Sequence, residues 1–324
     1  MDPTLAPTLF LLFFPFLARS QEYPLTFEHY DSYVQLFEKK YRPQEKLSRF
    51  HIFLNNLEYI NNHNRNSSHH FQLGLNHFTD LSNEEFKKHH GVNKFQSSGK
   101  FCSFDSHTSL AKEVDWTLTA VTPVKNQGQC GSCWAFSTTG ALEGLYYLEN
   151  KELVSFSEQQ LMDCSKLNHG CEGGDMNFAF RYTESHQLCS EEEYQYLAID
   201  DSCNYKQCQQ VIEISGFCNV ERNNEQQLKM AVFQQPVSVA IQADSLSFQH
   251  YQSGVFDDYS CGTNLDHGVL VVGYGTMEDQ DYWLVKNSWG TSWGEQGYIK
   301  LARTDSANTT GICGIAMDAS IPLM

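Results

Sequence analysis

Eleven cysteines follow an apolar leader in this 324-residue chain, and their pairing limits the folds open to it. The leader reads MDPTLAPTLFLLFFPFLARS, and its apolar run from Leu9 to Leu17 is too short to span a bilayer. Small residues, Ala18 and Ser20, stand where a signal peptidase cuts, so we expect residues 1–20 to be a cleaved secretory signal. Exported cysteines pair in an oxidising compartment, and an odd number leaves at least one thiol outside the disulfides.

Charge is distributed unevenly along the chain. Residues 1–109 carry equal numbers of basic and acidic side chains, so the whole formal net charge of −17 belongs to the remainder. Such an acidic second part argues against a nucleic-acid partner. Most of the thirteen histidines also precede residue 110, and the second part keeps four as candidate bases: His169, His186, His250 and His267.

Periodic spacing predicts two helices before residue 70. Residues 25–41 carry apolar and aromatic side chains at helical spacing, namely Phe27, Tyr30, Val34, Phe37 and Tyr41. A second stripe advances by three or four residues through Glu45, Arg49, Phe53, Asn56, Ile60 and Asn64. The block GLNHFTDLSNEEF then begins at a glycine that suits a turn and ends in a short helical run. Residues 91–109 lack periodicity and are interpreted as a linker.

From about residue 110 the pattern shifts from helices towards strands. The segment SCWAFSTTGALEGLYYLEN predicts a helix with Ser132 as its N-cap and Cys133 in its first turn. Later segments are short, β-branched or aromatic and punctuated by glycine, which predicts strands in PVSVAIQA, DHGVLVVGYG, DYWLVKNSWG and GYIKLAR. We therefore expect an α-rich half beside a β-rich half.

The stretch QCGSCWAFS has two cysteines three positions apart, for which several chemistries compete. A redox pair should follow a strand in a βαβ unit, and a zinc site needs a second ligand pair; the sequence has neither. A structural disulfide remains open for either cysteine. A reactive thiol needs a lowered pKa, which the positive end of a helix dipole favours at Cys133. His267 is the best candidate for its base, with Asn287 to orient the imidazole and Trp289 to shield their hydrogen bond.

Three blocks of the sequence, QGQCGSCWAF, LDHGVLVVGYG and VKNSWGTSWGEQGYI, resemble the signatures of papain-like cysteine peptidases. The stripe from Glu45 to Asn64 resembles the cathepsin L-type propeptide helix motif, and residues 74–80 are similar to its G-x-N-x-F-x-D motif. The resemblance implies an α+β, papain-like two-domain fold with the cleft between an α-helical and a β-barrel-like domain. It implies an inhibitory propeptide at 21–109, helical over about 27–86, and a mature peptidase at 110–324 that begins near Leu110 to Glu113.

The resemblance also implies roles for individual residues. Cys133 is similar to the nucleophile of the family, His267 to its acid–base partner and Asn287 to the residue that orients the histidine. Gln127 and the backbone N–H of Cys133 resemble the two donors of the oxyanion hole. The implied reaction is hydrolysis of a peptide bond through a thioester, with no cofactor and no metal. Because no insertion blocks the cleft, we expect an endopeptidase.

The substrate side follows from the same resemblance. The backbone of Gly173 and Gly174 is expected to pair with an extended substrate, beside Trp289. The pocket for the residue two positions before the cut is expected to be lined by Met176, Ala240, Leu265 and, at its base, Asp318. The apolar members favour Leu, Val or Phe. We hypothesise that Asp318 also admits Arg or Lys, whereas Asp175 is interpreted as a solvated surface charge.

The family pattern pairs six of the cysteines, as Cys130–Cys171, Cys164–Cys203 and Cys261–Cys313. A fourth bridge is expected between Cys189 and Cys208. For Cys102, in the linker, and Cys218, in the mature part, we favour two free thiols over a bridge that would keep propeptide attached after cutting.

The remaining expectations concern control and partners. Sequons at Asn66 and Asn308 are glycosylation candidates, and His77 is the candidate for a pH trigger of propeptide release. Expected partners are protein and peptide substrates, the chain's own propeptide and cystatin-like inhibitors, with no nucleic acid and no membrane. We expect the enzyme to be a monomer. We expect it in the lysosome, the vacuole or the extracellular space. The rivals are a catalytically silent homologue acting as a binding module and a redox protein using Cys130 and Cys133.

Overall fold

A computed structural model describes residues 22–66, 68–89, 99–105 and 109–324. The expected signal segment at 1–20 lies outside the described residues, as does much of the linker expected at 91–109. No helix in the described part of the chain is both long and apolar enough to cross a membrane.

The described residues contain eight α-helices, three of them before residue 90. In chain order they are α1 (Phe27–Leu36), α2 (Pro43–Arg65), α3 (Asn83–Phe86), α4 (Cys133–Asn150), α5 (Glu158–Cys164), α6 (Met176–Thr183), α7 (Glu225–Gln234) and α8 (Leu246–Gln249).

The strands are short, and most follow residue 210. They are β1 (Phe71–Leu73), β2 (Lys100–Phe101), β3 (Val114–Asp115), β4 (Leu188–Cys189), β5 (Gln210–Ile212), β6 (Gly216–Asn219), β7 (Val237–Ile241), β8 (Tyr251–Phe256), β9 (His267–Met277), β10 (Gln280–Lys286), β11 (Tyr298–Ala302) and β12 (Ala319–Leu323).

The first predicted helix is shorter than its periodicity suggested. α1 ends at Leu36, and the chain reverses through Glu38, which has a left-handed φ of 51°. Tyr41, expected on the same helical stripe, instead donates a hydrogen bond to the buried carboxylate of Asp80. Pro43 starts α2 at its first turn and holds the preceding residue in an extended conformation, so α1 cannot continue into α2.

The polar members of the second stripe attach α2 to the segment after it. Asn56 donates to the carbonyls of Thr79 and Leu81 at 2.8 and 2.9 Å, and Arg49 forms an ion pair with Glu85 at 2.7 Å. Asn64, the last residue but one of α2, bonds both backbone groups of Leu73. The stripe therefore fixes the fold of the N-terminal domain through buried hydrogen bonds.

One mixed sheet forms the main frame, with the order β1–β8–β11–β10–β9–β7–β12–β6–β2 and β3 added on β9. β1 pairs antiparallel with β8, and β2 pairs parallel with β6. Both ends of the sheet order are thus occupied by strands that precede residue 110. Covering edge strands in this way satisfies backbone groups that would otherwise be exposed.

The α-rich half of the later chain packs on this sheet through α4. The hydroxyl of Ser137 on α4 donates to the carbonyl of Val269 on β9 at 2.6 Å, and Ser238 of β7 donates back to the Ser137 carbonyl at 2.8 Å. Gly140 lies so close to Leu270 that a Cβ there would come within 2.7 Å of its side chain. The two halves are therefore in tight contact along α4, as an α+β arrangement requires.

Ten of the eleven cysteines form five disulfides, which are Cys102–Cys218, Cys130–Cys171, Cys164–Cys203, Cys189–Cys208 and Cys261–Cys313. Three are the pairs that the resemblance implies, and a fourth is the bridge expected between Cys189 and Cys208. The preference for two free thiols at Cys102 and Cys218 is wrong. Pairing of β2 with β6 brings the Cα atoms of Cys102 and Cys218 to within 5.0 Å of each other, a distance that a disulfide can span.

Candidate active site

Cys133 is the first residue of α4 and the cysteine that stays outside the five disulfides. It is fully buried in this structure. Ser132 occupies the N-cap position, but its side chain makes no capping bond, contrary to expectation; its hydroxyl lies 2.6 Å from that of Tyr196. The N–H groups at the start of α4 point towards its N-terminal end, so the helix dipole favours a negative charge on the sulfur.

His267 begins β9 and is oriented by Asn287, which directly follows β10. The imidazole Nε2 lies 2.7 Å from the Asn287 side-chain oxygen, so this nitrogen donates and Nδ1 is the one available for acid–base chemistry. Trp289 stacks on the imidazole with ring centroids 4.6 Å apart. Burial lowers the pKa of His267 to about 4, against the Asn287 hydrogen bond, which raises it.

The backbones of α4 and β9 come close together at Cys133 and His267. Gly268, the neighbour of His267, lies against the start of α4: a Cβ there would sit 3.3 Å from the Cys133 carbonyl carbon and 3.2 Å from Trp134 Cα. Only a residue without a side chain allows this approach without displacement. Two of the candidate residues predicted from the sequence are therefore on segments that touch.

Gln127 is held in place by the segment that contains Asn287. The Gln127 N–H donates to the Ser288 carbonyl at 2.8 Å, and the Ser288 hydroxyl donates to Gln127 Oε1 at 2.6 Å. This second bond directs the Gln127 NH₂ group away from Ser288. The NH₂ group donates instead to the Cys130 carbonyl at 2.9 Å. Sequence reasoning missed Ser288 as a positioning residue, although it lies in the quoted VKNSWG block.

Two of the residues expected to bind substrate lie just before α6. Gly173 and Gly174 are buried there, and Gly174 approaches Trp134 so closely that a Cβ would reach 2.6 Å from its ring. Of the expected apolar pocket residues, Met176 and Ala240 are buried in one large apolar cluster, and Leu265 is partly buried against it. Their role in a substrate pocket stays a prediction.

Asp318 lies just before β12 and is 6% exposed. Burial, with a contribution from Asp175, raises its pKa to about 7, against a lowering effect of Arg222. Asp175 is not the solvated charge that we expected. It is 3% exposed and caps α6, accepting from the Asn177 N–H at 2.7 Å. A helix N-terminus stabilises a carboxylate there, which accounts for its burial.

The N-terminal domain covers this site with aromatic rings. Phe78 and Phe86 each pack edge-on against Trp289, with centroids 5.4 Å away. Asn76 anchors the same segment by donating to the Gln249 carbonyl at 2.8 Å. Trp289 in turn stacks on His267, so this domain lies against the ring that covers the histidine.

A buried charge cluster supports the back of the site. Lys125 contacts Glu143 of α4 at 2.9 Å and Glu158 of α5 at 2.5 Å, and Lys286, directly before Asn287, donates to Thr122 at 3.0 Å. Burial lowers the pKa of Lys286 to about 8, although Glu143 raises it. The members of this cluster are far apart in the chain, so no local sequence pattern indicated it.

The remaining sequence candidates are His250, His77, Asn66 and Asn308. His250 is fully buried, and burial lowers its pKa to about 3. The Nδ1 atom of His77 lies 2.9 Å from the Ser292 hydroxyl. The role of His77 as a pH trigger stays a prediction. Asn66 and Asn308 are exposed. Among the described residues, no group of three or more His, Cys, Asp or Glu side chains is arranged to hold a metal ion.

Comparison with known proteins assigns both parts of the chain. Residues 110–323 match the papain family cysteine protease, and residues 30–86 match the cathepsin propeptide inhibitor domain. The structure is similar to digestive procathepsin L 3 of the Tenebrio molitor larval midgut, with a TM-score of 0.84 and 41% identity. That match covers 92% of this chain and 98% of the other.

Curated relatives agree with these matches. The chain is 44% identical over 290 residues to germination-specific cysteine protease 1 of Arabidopsis thaliana, covering 85% of this chain and 77% of that protein. It is 42% identical over 320 residues to a cathepsin L-like protein of Caenorhabditis elegans, covering 94% of each. It spans 63% and 61% of the length of two other Arabidopsis relatives, the probable cysteine proteases RD21C and RD21B.

Proposed function

Because the chain belongs to the papain family of cysteine proteases and is a zymogen with a propeptide inhibitor domain, we propose that Cys133 is its nucleophile and His267 its acid–base partner. The observation that carries this proposal is the His267–Asn287 bond of 2.7 Å, on a strand packed against the helix that begins at Cys133. Asn287 and Trp289 position the imidazole, and Gln127 with the Cys133 N–H forms the oxyanion hole.

The reaction follows from these roles. The Cys133 thiolate attacks the peptide carbonyl, and the oxyanion accepts hydrogen bonds from the two donors. His267 gives its proton to the departing amine, which leaves a thioester on Cys133. Water, deprotonated by His267, then hydrolyses the thioester and restores the thiolate. Each step uses only side chains and water, so the proposal includes no cofactor.

We propose the domain boundaries given by the sequence, with propeptide at 21–109 and mature enzyme at 110–324.

In the docked state His267 is neutral above about pH 4, which disfavours the thiolate–imidazolium pair. A released propeptide re-exposes the imidazole to water and raises its pKa. Protonation of His267 below its undocked pKa therefore favours release, and docking is weakened as pH falls from about 6.5 towards 4.

The five disulfides and both family matches are those of a secretory-pathway protease. Within that pathway we propose a lysosomal, vacuolar or extracellular site, a signal at 1–20 and glycosylation at Asn66 and Asn308. The substrates are proteins and peptides cut internally, and the partners are the propeptide and cystatin-like inhibitors of a monomeric enzyme.

The proposal is tested by acidifying the purified precursor with and without an epoxide thiol trap. We expect cleavage near residues 110–113, loss of activity with the trap, and a single labelled cysteine at Cys133, identified by N-terminal sequencing and peptide mapping. Label on both Cys130 and Cys133 after reduction of one bridge would instead support the redox protein. No turnover of casein or peptide reporters at any pH would support the silent homologue.

Gln127→Ala in the processed enzyme is expected to lower kcat by roughly 10²-fold with little change in KM. The side-chain donor acts on charge that develops only in the transition state, and losing one such donor typically costs about 3 kcal/mol. Steady-state kinetics on a peptide reporter measures both constants.

Ser288→Ala is the matched control, because it leaves the Gln127 amide in place and removes only the bond that orients it. Its loss in kcat should be smaller, about tenfold or less. A raised KM with normal kcat in Gln127→Ala would contradict a role in the oxyanion hole.

Asp318→Ala is expected to reduce the kcat/KM ratio of Arg-Arg to Leu-Arg reporters by about tenfold, since an ionised carboxylate can pair with the cation of the substrate. In the parent enzyme this ratio should rise with pH through about 7, because burial keeps Asp318 protonated at lower pH. The Leu-Arg reporter is the internal control. A strong preference for Leu-Arg that is unchanged by the substitution would show that Asp318 does not read the substrate.

A further inference from the structure

The disulfide Cys102–Cys218 joins the propeptide to the mature enzyme. Cys102 directly follows β2, and Cys218 lies on β6, 116 residues later. The expected start of the mature chain, Leu110 to Glu113, lies between them in sequence. The bridge therefore spans the proposed cut, whereas the other four disulfides lie wholly beyond residue 110.

The segment around the proposed cut is open to a protease. Residues Ala111, Lys112 and Glu113 are exposed. The chain after them is anchored in the sheet, since Val114 and Asp115 pair with β9 and Tyr274 donates to the Ala111 carbonyl at 3.0 Å. A cut here frees a new N-terminus on an anchored mature chain but leaves Cys102 on the other product.

Apart from the sulfur bridge, residues 99–105 are held by a short strand pairing and by packing of the half-buried Phe104 against the core. β2 has two residues, both exposed, and the Cys102 N–H adds a single bond of 2.8 Å to the Asn219 carbonyl. A two-residue strand is too short to be stable by itself. The covalent bond is thus what would keep this segment on β6 after cleavage.

We propose that cleavage at residues 110–113 produces a disulfide-linked two-chain enzyme that stays inhibited. The inhibitor domain docks through β1 on β8 and through Phe78 and Phe86 on Trp289, and the tether keeps it beside that surface. A short tether gives an effective concentration on the order of 1 mM, so dilution does not release the domain. The inference rests on the proposed cut position.

Full release then requires one of two events. A dithiol reductant can reduce the bridge: two electrons pass to the Cys102–Cys218 bond, which gives two thiols and the oxidised disulfide of the reductant. Alternatively, a second cut on the N-terminal side of Cys102 leaves only a short peptide attached to Cys218. Cys102 thus makes the redox state of its surroundings a second condition for activation.

The tether is tested first without catalysis. A recognition sequence for a site-specific endopeptidase is inserted after Leu110 in the full chain carrying Cys133→Ser, and the cut protein is run on denaturing gels. We expect one band of uncut mass without reductant and two bands with it. Cys102→Ser/Cys218→Ser should give two bands in both lanes, whereas Cys189→Ser/Cys208→Ser, which removes a bridge within the mature part, should behave like the parent.

The second test measures inhibition in the same insertion chain with Cys133 intact. After cutting at neutral pH and 1,000-fold dilution, we expect the tethered enzyme to turn over a peptide reporter at least about tenfold more slowly than Cys102→Ser/Cys218→Ser. Two bands without reductant in the parent would overturn the tether, and equal rates on a tethered gel product would overturn the inhibition. The gel result does not depend on activity, so failure of the catalytic proposal would be seen separately, as no turnover in either chain.

Discussion

Replacing Cys133 by serine is expected to lower kcat/KM of the processed enzyme by at least about 10⁴-fold. A thiol near the start of a helix and beside an imidazole ionises readily, whereas a hydroxyl in the same place does not, so the nucleophile is lost while the binding surface stays. Hydrolysis of a fluorogenic peptide, with enzyme released by an added processing protease, measures the effect.

Ser132→Ala is the matched control for this substitution. It removes the neighbouring hydroxyl, which contacts Tyr196, and leaves the thiol in place. Loss of that single bond should cost on the order of 1 kcal/mol, or under about tenfold in rate. A Cys133→Ser enzyme that keeps more than a hundredth of the parent kcat/KM would show that another group attacks the peptide bond.

Replacing Glu143 by alanine is expected to destabilise the zymogen by about 3 kcal/mol, because it removes one of the two carboxylates that pair with Lys125, whose side chain is 20% exposed. Glu143 is 1% exposed and also accepts from the Thr122 hydroxyl at 2.6 Å and the Phe156 N–H at 3.0 Å. Denaturant unfolding in the Cys133→Ser background, which prevents self-digestion, measures the change.

The pH dependence of this effect has a definite sign. Burial raises the pKa of Glu143. The charges of Lys125 and Lys286 and the hydrogen bonds from Thr122 and Lys125 together lower this pKa by more, so it lies below its ordinary value. Its contribution to stability is thus present above about pH 4.5 and is lost as pH falls below it. Glu149→Ala, on the exposed end of the same helix, is the matched control and should change stability by under about 0.5 kcal/mol. A loss below 1 kcal/mol in Glu143→Ala would mean that the cluster does not stabilise the fold.

Much of the site was predictable because its members lie in short, chemically distinctive blocks. Cys133 at a helix start, His267 at a strand start and Asn287 after the next strand are local features of the sequence. Local periodicity likewise predicted α2 and α4. It failed at α1, where the stripe continued to Tyr41 but the helix ends at Leu36 and Tyr41 bonds Asp80 instead.

Residue type and spacing act over a few turns of chain, so the sequence alone indicated the candidate residues Cys133, His267 and Asn287 and the helix and strands that carry them. Tertiary structure decided which distant groups meet. Ser288 orients Gln127 across 161 residues, Lys125 joins Glu143 and Glu158, and Cys102 reaches Cys218. The physical reason is that such contacts depend on how the sheet orders its strands, and no local preference encodes the pairing of β2 with β6.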